Sequence, residues 1–261
     1  KGLNILLKGE AQYSTVKADE SDIYALSPDD FQGLAPKLAV KEGDELKVGS
    51  VVFFDKANPN LNVVSPISGK VKAIVRGERR KILAIEIENN HQYTQENLET
   101  INKNATTEEL IAVLLKVGLF TFIKQRPYDI IANPQILPKA IFVSAFDTAP
   151  LAPDLNYILK DKKEDFQAGL SYLAQIAKVY LGTQANSAAF FKEAKDAIVT
   201  EFEGPHPAGN VGVQIHHVMP INKGETVWTI HPVDIAMIGK FLTKGELDFS
   251  RTVALVGSEV L

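Results

Sequence analysis

The 261-residue sequence contains no cysteine. That excludes disulfides, thiolate nucleophiles and iron–sulfur ligation by cysteine within these residues. It also suits a reducing compartment. No stretch approaches the ~18 consecutive apolar residues of a membrane-spanning helix. The first residues, Lys1-Gly2-Leu3-Asn4-Ile5, lack the long apolar core of a signal peptide. Basic runs are missing too. The net charge is −4, and the nearest candidate, Arg76-Gly77-Glu78-Arg79-Arg80-Lys81, reads as a solvated turn. A nucleic-acid partner is therefore not expected. There is no Gly-x-Gly-x-x-Gly, no phosphate-binding loop of the Walker type and no Gly-x-Ser-x-Gly. The sequence does not begin with Met and stops on Val260-Leu261, which predicts a longer parent chain.

What is present is enough for a core. Hydrophobic residues make up 45% of the chain, and the length favours two domains, divided here as 1–100 and 101–261. Residues 1–100 read as β structure. Short apolar or alternating runs occur at Val51–Phe54, Leu61–Val64, Lys70–Val75 and Ile82–Ile87. Turn residues separate them at Glu42-Gly43-Asp44, Asn58-Pro59-Asn60, Ser68-Gly69 and Arg76-Gly77. Spacings near ten residues fit a small barrel or sandwich. Residues 89–105 are polar and predict a linker.

Beyond the linker the period changes. Thr106-Thr107-Glu108-Glu109 is a capping box, followed by Leu110, Ile111, Leu114, Leu115 and Val117 at helical spacing, with Gly118 to end the helix. Strands are predicted at Asp129–Ala132, Ala140–Val143, Lys178–Leu181, Ala197–Phe202, Thr226–Ile230 and Thr252–Val256. Helices are predicted at 163–177, about 185–195 and Pro232–Lys244. This alternation indicates an open α/β sheet.

In the first domain, the stretch from Val40 to Val52, with Glu42-Gly43-Asp44 and Val48-Gly49-Ser50, has the phrase structure of a biotinyl/lipoyl-type barrel-sandwich domain. So does Val64-Ser65-Pro66-Ile67-Ser68-Gly69-Lys70-Val71. Asp55-Lys56-Ala57 resembles the tripeptide that carries lipoate. A carrier lysine must stand on a tight hairpin, and here Asn58-Pro59-Asn60 occupies the turn. A surface lysine on a structural hairpin is the simpler reading. A biotinyl/lipoyl carrier fused to an enzyme domain stays open as an alternative.

In the second domain, Phe142 to Asp154 reads as a strand entering a proline-rich loop. Carboxyl ends of strands line the ligand crevice of open α/β sheets, so Asp147 and Thr148 are placed for a site, while a turn-forming Asp is the competing reading. Gly204-Pro205-His206-Pro207-Ala208-Gly209 also follows a strand. Its glycines would let backbone amides approach a ligand, but its prolines remove donors. His206, His216, His217 and His231 match no metal-ligand spacing, and no metal site is expected.

Several stretches, in order, carry a family resemblance. They are Gly33 to Asp44, Arg76-Gly77-Glu78-Arg79-Arg80, Gly118-Leu119-Phe120-Thr121, Arg126-Pro127, Ile141 to Asp154, Asp165 to Leu170, Phe202-Glu203-Gly204-Pro205-His206-Pro207-Ala208-Gly209 and Val227-Trp228-Thr229-Ile230. The chain resembles the A subunits of the bacterial sodium-translocating NADH:quinone oxidoreductase, over nearly its whole length. The resemblance implies a lipoyl-like barrel joined to a Rossmann-like α/β domain similar to the flavin-binding subunit of complex I. It implies a peripheral subunit on the cytoplasmic face of the inner membrane, partnered by the other subunits, membrane subunits among them. In that complex NADH, flavins, iron–sulfur centres and quinone are handled through several subunits. The glycine-rich flavin loop of the wider family corresponds here to Gly118–Pro127, where one glycine remains and bulky side chains follow. No cofactor of the chain's own is therefore expected, with retained flavin binding as an alternative. Quinone, if held, is expected near Asp147, Thr148 and His206, in an apolar cleft with a few donors.

Overall fold

The computed structural model describes residues 2–5, 12–102 and 105–257. Its compact units are Lys17–Pro134 with Phe241–Phe249, here the barrel unit, and Lys1–Val16 with Gln135–Lys240 and Ser250–Leu261, here the parallel-sheet unit. Compactness thus groups the stretch after residue 100, up to Pro134, with the barrel. It does so because that stretch packs on barrel residues. A Cβ built on Gly118 would lie 2.9 Å from Val64, and Asn62 Nδ2 donates to the Lys116 carbonyl at 3.1 Å.

The barrel unit contains β1 (Ile23–Leu26), β2 (Pro36–Leu38), β3 (Glu45–Leu46), β4 (Val51–Asp55), β5 (Asn62–Val64), β6 (Gly69–Arg76) and β7 (Ile82–Asn89). They form an antiparallel sheet ordered β1-β7-β6-β3 and a second ordered β2-β4-β5. β7 shows how the residues dictate this. Ile85 and Ile87 are fully buried while Glu86 and Glu88 face outward, the two-residue period of a half-buried strand. The inner faces share one core of Leu46, Val52, Phe53, Val63, Ile67, Val71, Ile85 and Ile87, each large side chain contributing about 1.5–3 kcal/mol of burial.

The polar stretch after β7 is not free. Val48 exchanges backbone bonds with Thr94 and Glu96, and the Gln95 side chain bonds Gly245 and Leu247. α1 (Thr107–Lys116) starts on the capping box read from the sequence: Thr106 Oγ1 accepts from Glu109 N at 3.2 Å and Glu109 Oε2 from Thr106 N at 2.8 Å. Gly118, at φ 78°, turns the chain into a short 3₁₀ segment, Leu119–Phe122. A small hairpin, β8 (Lys124–Arg126) and β9 (Ile130–Ile131), follows.

The parallel-sheet unit has β10 (Ile141–Ser144), α2 (Leu155–Ile158), α3 (Lys163–Leu173), β11 (Val179–Thr183), α4 (Ala189–Lys192), β12 (Ile198–Glu201), α5 (Val211–Val218), β13 (Val227–Thr229) and α6 (Pro232–Lys244). The strands are parallel in the order β12-β11-β10-β13. By order of appearance that is 3-2-1-4, so the winding direction reverses between β10 and β13. As the central strand, β10 reads as a continuous apolar run, Ile141-Phe142-Val143, covered on both faces. Phe142 stacks on Tyr180 at 4.9 Å and packs with Ile215 of α5 and Val227. α3 and α6 touch backbone to backbone at Gly169 and Gly239. No helix of the described residues is long and apolar enough to cross a membrane.

Three of the departures from the sequence expectations lie in the parallel-sheet unit. The strand expected at Thr252–Val256 is irregular, with Val253 81% and Leu255 80% exposed; an alternating run becomes a strand only when a neighbouring edge supplies hydrogen-bond partners. The helix expected at 185–195 contracts to α4. α5 went unrecognised because Val211, Gly212, Val213 and Val218 are weak helix formers. Packing of Ile215 on the sheet overrides that preference.

Candidate functional site

The carboxyl ends of the parallel strands gather the candidate residues. The loop after β10 carries Asp147 and Thr148, the loop after β12 carries His206, and the residue before α6 is His231. In doubly wound sheets the ligand crevice opens where the strand order reverses, here between β10 and β13.

The structure brings two of the three sequence candidates into contact. Thr148 Oγ1 lies 3.2 Å from His206 Nδ1 and accepts a hydrogen bond from Gly209 N at 2.9 Å. With Gly209 donating to it, the hydroxyl's own proton is available to the imidazole or to a ligand. Gly209 must be glycine: a Cβ there would stand 2.6 Å from Thr148 N and 2.9 Å from Asp147 Cα. Asp147 plays a different part. It is exposed, and its Oδ1 accepts from Ala149 N at 2.8 Å, so it forms the turn that presents Thr148. Its charge also acts on His231. Loss of water pushes the His231 imidazole below its ordinary value, although the residue keeps exposed surface, while Asp234 and Asp147 oppose that shift.

Beneath this edge lies a polar group that the sequence reading missed. Gln214 of α5 is buried, and its Nε2 donates to Ser144 Oγ at 2.7 Å and to the Ala208 carbonyl at 3.3 Å. Ser144 Oγ in turn donates toward the carbonyls of Phe146 and Gly209, each at 2.9 Å. One amide thereby ties the β10 loop to the β12 loop. A signal for it existed: a glutamine among Val211, Val213 and Ile215, since a polar residue on an inward helix face needs an internal partner.

The amides at the end of the loop are occupied. Ala208 N donates to Pro205 O, Asn210 N to Pro207 O and Gly209 N to Thr148, which leaves a poor nest for phosphate. The His206–Pro207 peptide is cis, and Leu3 N donates to the His206 carbonyl at 3.0 Å. The stretch Gly118–Pro127 is filled as well. Leu119, Phe120 and Ile123 are fully buried, and Thr121 returns both its amide and its hydroxyl to the Gly118 carbonyl. Arg126–Pro127 is cis.

The remaining candidates are separate from this edge. His216 and His217 are exposed on α5, their rings 5.6 Å apart. Among the described residues no group of three or more His, Asp or Glu could hold a metal ion. Lys56 is exposed on the β4–β5 hairpin. The neighbouring Asp55 is buried and accepts from Ala35 N at 2.9 Å and Asn58 N at 3.0 Å. An open groove of about 450 Å³ lies in the barrel unit, lined by Ile101, Asn102, Ala105, Glu109, Ala112 and Val113. It contains none of the three candidate residues and offers one ionisable group, so the loop cluster is the better-founded site.

Comparison with known proteins agrees with the resemblance read from the sequence. Residues 1–90 match the family model for the NqrA N-terminal barrel-sandwich hybrid domain, and residues 105–247 match that for the NqrA second alpha/beta domain. The chain is similar along its whole length to proteins named as the A subunit of the Na(+)-translocating NADH-quinone reductase. That of Pasteurella multocida is 37% identical over 265 residues, that of Neisseria meningitidis serogroup B 37% over 269, and that of Pseudomonas aeruginosa 35% over 268. The chain spans 59% of the length of each of these relatives. The barrel with its two sheets and the α/β domain are the architecture those models describe, and residues 105–247 alone exceed half of the chain: it belongs to the NqrA family.

Proposed function

We propose that this chain serves as part of the A subunit of a sodium-translocating NADH:quinone reductase. In this reading it docks peripherally on the cytoplasmic face of the inner membrane and has no flavin or iron–sulfur centre of its own. The observation that carries the reading is the full-length similarity to relatives bearing that name. Two features support the lack of redox groups. The 261 residues hold no thiolate ligand for iron. The segment corresponding to a flavin loop is packed with Leu119 and Phe120, and its Thr121 and Ile123 amides are bonded within the segment. NADH, flavins and iron–sulfur centres then belong to the partner subunits. The 3-2-1-4 order of the parallel strands supports a Rossmann-like descent for the second domain.

Quinone is the small molecule we assign to the edge formed by Asp147, Thr148 and His206. A quinone carbonyl needs a hydrogen-bond donor, and the Thr148–His206 pair, 3.2 Å apart, keeps one whichever way its own bond runs: the imidazole Nε2–H if Thr148 donates to Nδ1, or the Thr148 hydroxyl if Nδ1–H donates to it. Asp147 shapes the turn and does not point a donor.

The test uses the parent protein in cells lacking the native A subunit. Its expression restores NADH-driven sodium uptake into inverted membrane vesicles and recovers the other subunits in purification. Recovery of none of them would sink the subunit reading. Short-chain ubiquinone titrated against Thr148→Val and His206→Gln tests the second claim. Unchanged affinity removes quinone from this edge and leaves the subunit reading intact.

A further inference from the structure

The tip of the β6–β7 hairpin is built at a cost that its own packing does not explain. Arg79 and Arg80 both adopt left-handed backbone, at φ 52° and 61°. Two such residues in succession are ordinarily Asn-Gly or Gly-Gly, and a bulky non-glycine residue there is strained. The pairing slips beside them: Arg76 opposes Ile82 while Val75 opposes Ala84, so Leu83 is the extra residue of a bulge. Leu83 then folds over Gly77, where a Cβ would meet it at 3.1 Å. The tip is closed by Gly77 N to Lys81 O at 2.9 Å and by Arg76 Nη1 to Arg80 O at 3.2 Å. Lys81 is held by Asp29 at 2.6 Å. Arg79 and Arg80 are exposed and, among the described residues, have no carboxylate in ion-pair reach. Val75 and Leu83 beside them are also exposed. On a chain of net charge −4, this is an outward cluster of guanidinium groups flanked by apolar side chains.

We propose that this tip is a docking point for an acidic protein surface, with Arg79 and Arg80 forking onto carboxylates and Leu83 with Val75 supplying the apolar contact. The proposal deepens the subunit reading and rests on it: the partner is another member of the same assembly. Arginine suits this role because its planar fork matches a carboxylate in two bonds and is enriched where interfaces concentrate their energy. Glu78 lies in the same turn. It would be repelled by an anionic bilayer, whereas a protein surface can meet one carboxylate with one base. That favours a protein over a lipid headgroup layer. Strain of this kind persists where the surroundings hold it in place, and it orients what it carries. Here it aims two arginines outward from one turn.

The experiment measures recovery of partner subunits with the full parent protein, wild type against Arg79→Glu/Arg80→Glu and Arg79→Gly/Arg80→Gly. Glycine accepts the left-handed backbone, so the second variant removes the charges without straining the turn. Its melting temperature is expected not to fall, while both variants recover partner subunits at least about tenfold less well at physiological salt. Raising the salt weakens the wild-type assembly toward the variants. Equal recovery of wild type and both variants overturns the proposal and leaves the subunit reading standing. Intact assembly with lost binding to phosphatidylglycerol vesicles overturns it in favour of a lipid surface. Failure of the wild type to recover any partner overturns the subunit reading and this proposal with it.

Discussion

A methyl group on Gly239 would lie 1.8 Å from the carbonyl oxygen of Asp165, and one on Gly169 would lie 2.1 Å from that of Ile235. α3 and α6 therefore cross in backbone contact, each through a glycine of its own. The atoms in the way are main chain and cannot swing aside. Gly239→Ala is expected to destabilise the protein by at least about 2 kcal/mol, in the upper half of the usual range of about 1–3 kcal/mol for overpacking. Thermal unfolding checks it: a fall of less than about 4 °C, the drop such a loss gives in a domain of this size, would show that the helices separate cheaply.

Gln214 is the one polar group on the inward side of α5 that reaches two loops. Gln214→Leu keeps the bulk and leaves the Ala208 carbonyl and Ser144 without their donor. A loss of about 1–3 kcal/mol is expected, with faster hydrogen exchange at Gly209 and Ala208 before other amides. Exchange that rises evenly over the unit would contradict the tie.

His91 sits between Glu20, at 3.1 Å from its Nδ1, and Asp22, at 3.3 Å from its Nε2. The hydrogen bond to Glu20, aided by Asp22, raises the imidazole above its ordinary 6.5, and the same bond lowers Glu20 below 4.5. The raised imidazole adds stability that is fully present below about pH 6.5 and disappears as pH climbs through the folded value. The lowered carboxylate adds stability present above about pH 4.5 and lost as pH falls through its folded value. Their coupling is therefore strongest between those limits. Unfolding of wild type and His91→Gln should differ most between about pH 4.5 and 6.5 and converge as pH rises through the folded imidazole's value. Curves that stay parallel across that span would refute the pairing.

The capping box of α1 gives a smaller effect. Thr106→Ala should cost about 1 kcal/mol, and Glu109→Ala added to it should cost little more, since each side chain accepts from the other residue's backbone N–H and both bonds close the same first turn. Additive losses in that double-mutant cycle would mean the two bonds act separately.

How much of this was legible beforehand depends on which forces were local. Ile82–Asn89 declares its own inner face by alternation, Thr106–Glu109 starts its helix with neighbours three residues apart, and Pro232–Lys244 carries its own start and stop. Each is written within one turn or one strand. α5 is not, because its helicity comes from Ile215 meeting Phe142 and Val227 across the sheet. The run at 252–256 misleads for the opposite reason: it reads as a strand, and no edge among the described residues pairs with it. At the site, Thr148 and His206 were legible as loop residues after strands. That they touch follows from the β12 loop reaching past β11, which lies between β10 and β12 in the parallel sheet, to the loop after β10. Ser144 and Gln214 were overlooked because their role lies in a hydrogen bond spanning seventy positions.

Gln95 donates to Gly245 O at 2.6 Å and accepts from Leu247 N at 2.8 Å, and Leu247 is buried against Gly49, where a Cβ would meet it at 3.1 Å. The barrel unit is thus completed by residues made some 152 positions after Gln95. During synthesis the ribosome delivers the strands around Val48 long before their last partner. Every part of the parallel sheet must emerge in between. A nascent chain halted at Lys240 would expose the flank of Gly49 and the Gln95 amide to water, so the barrel unit is not complete until the whole parallel sheet has been made.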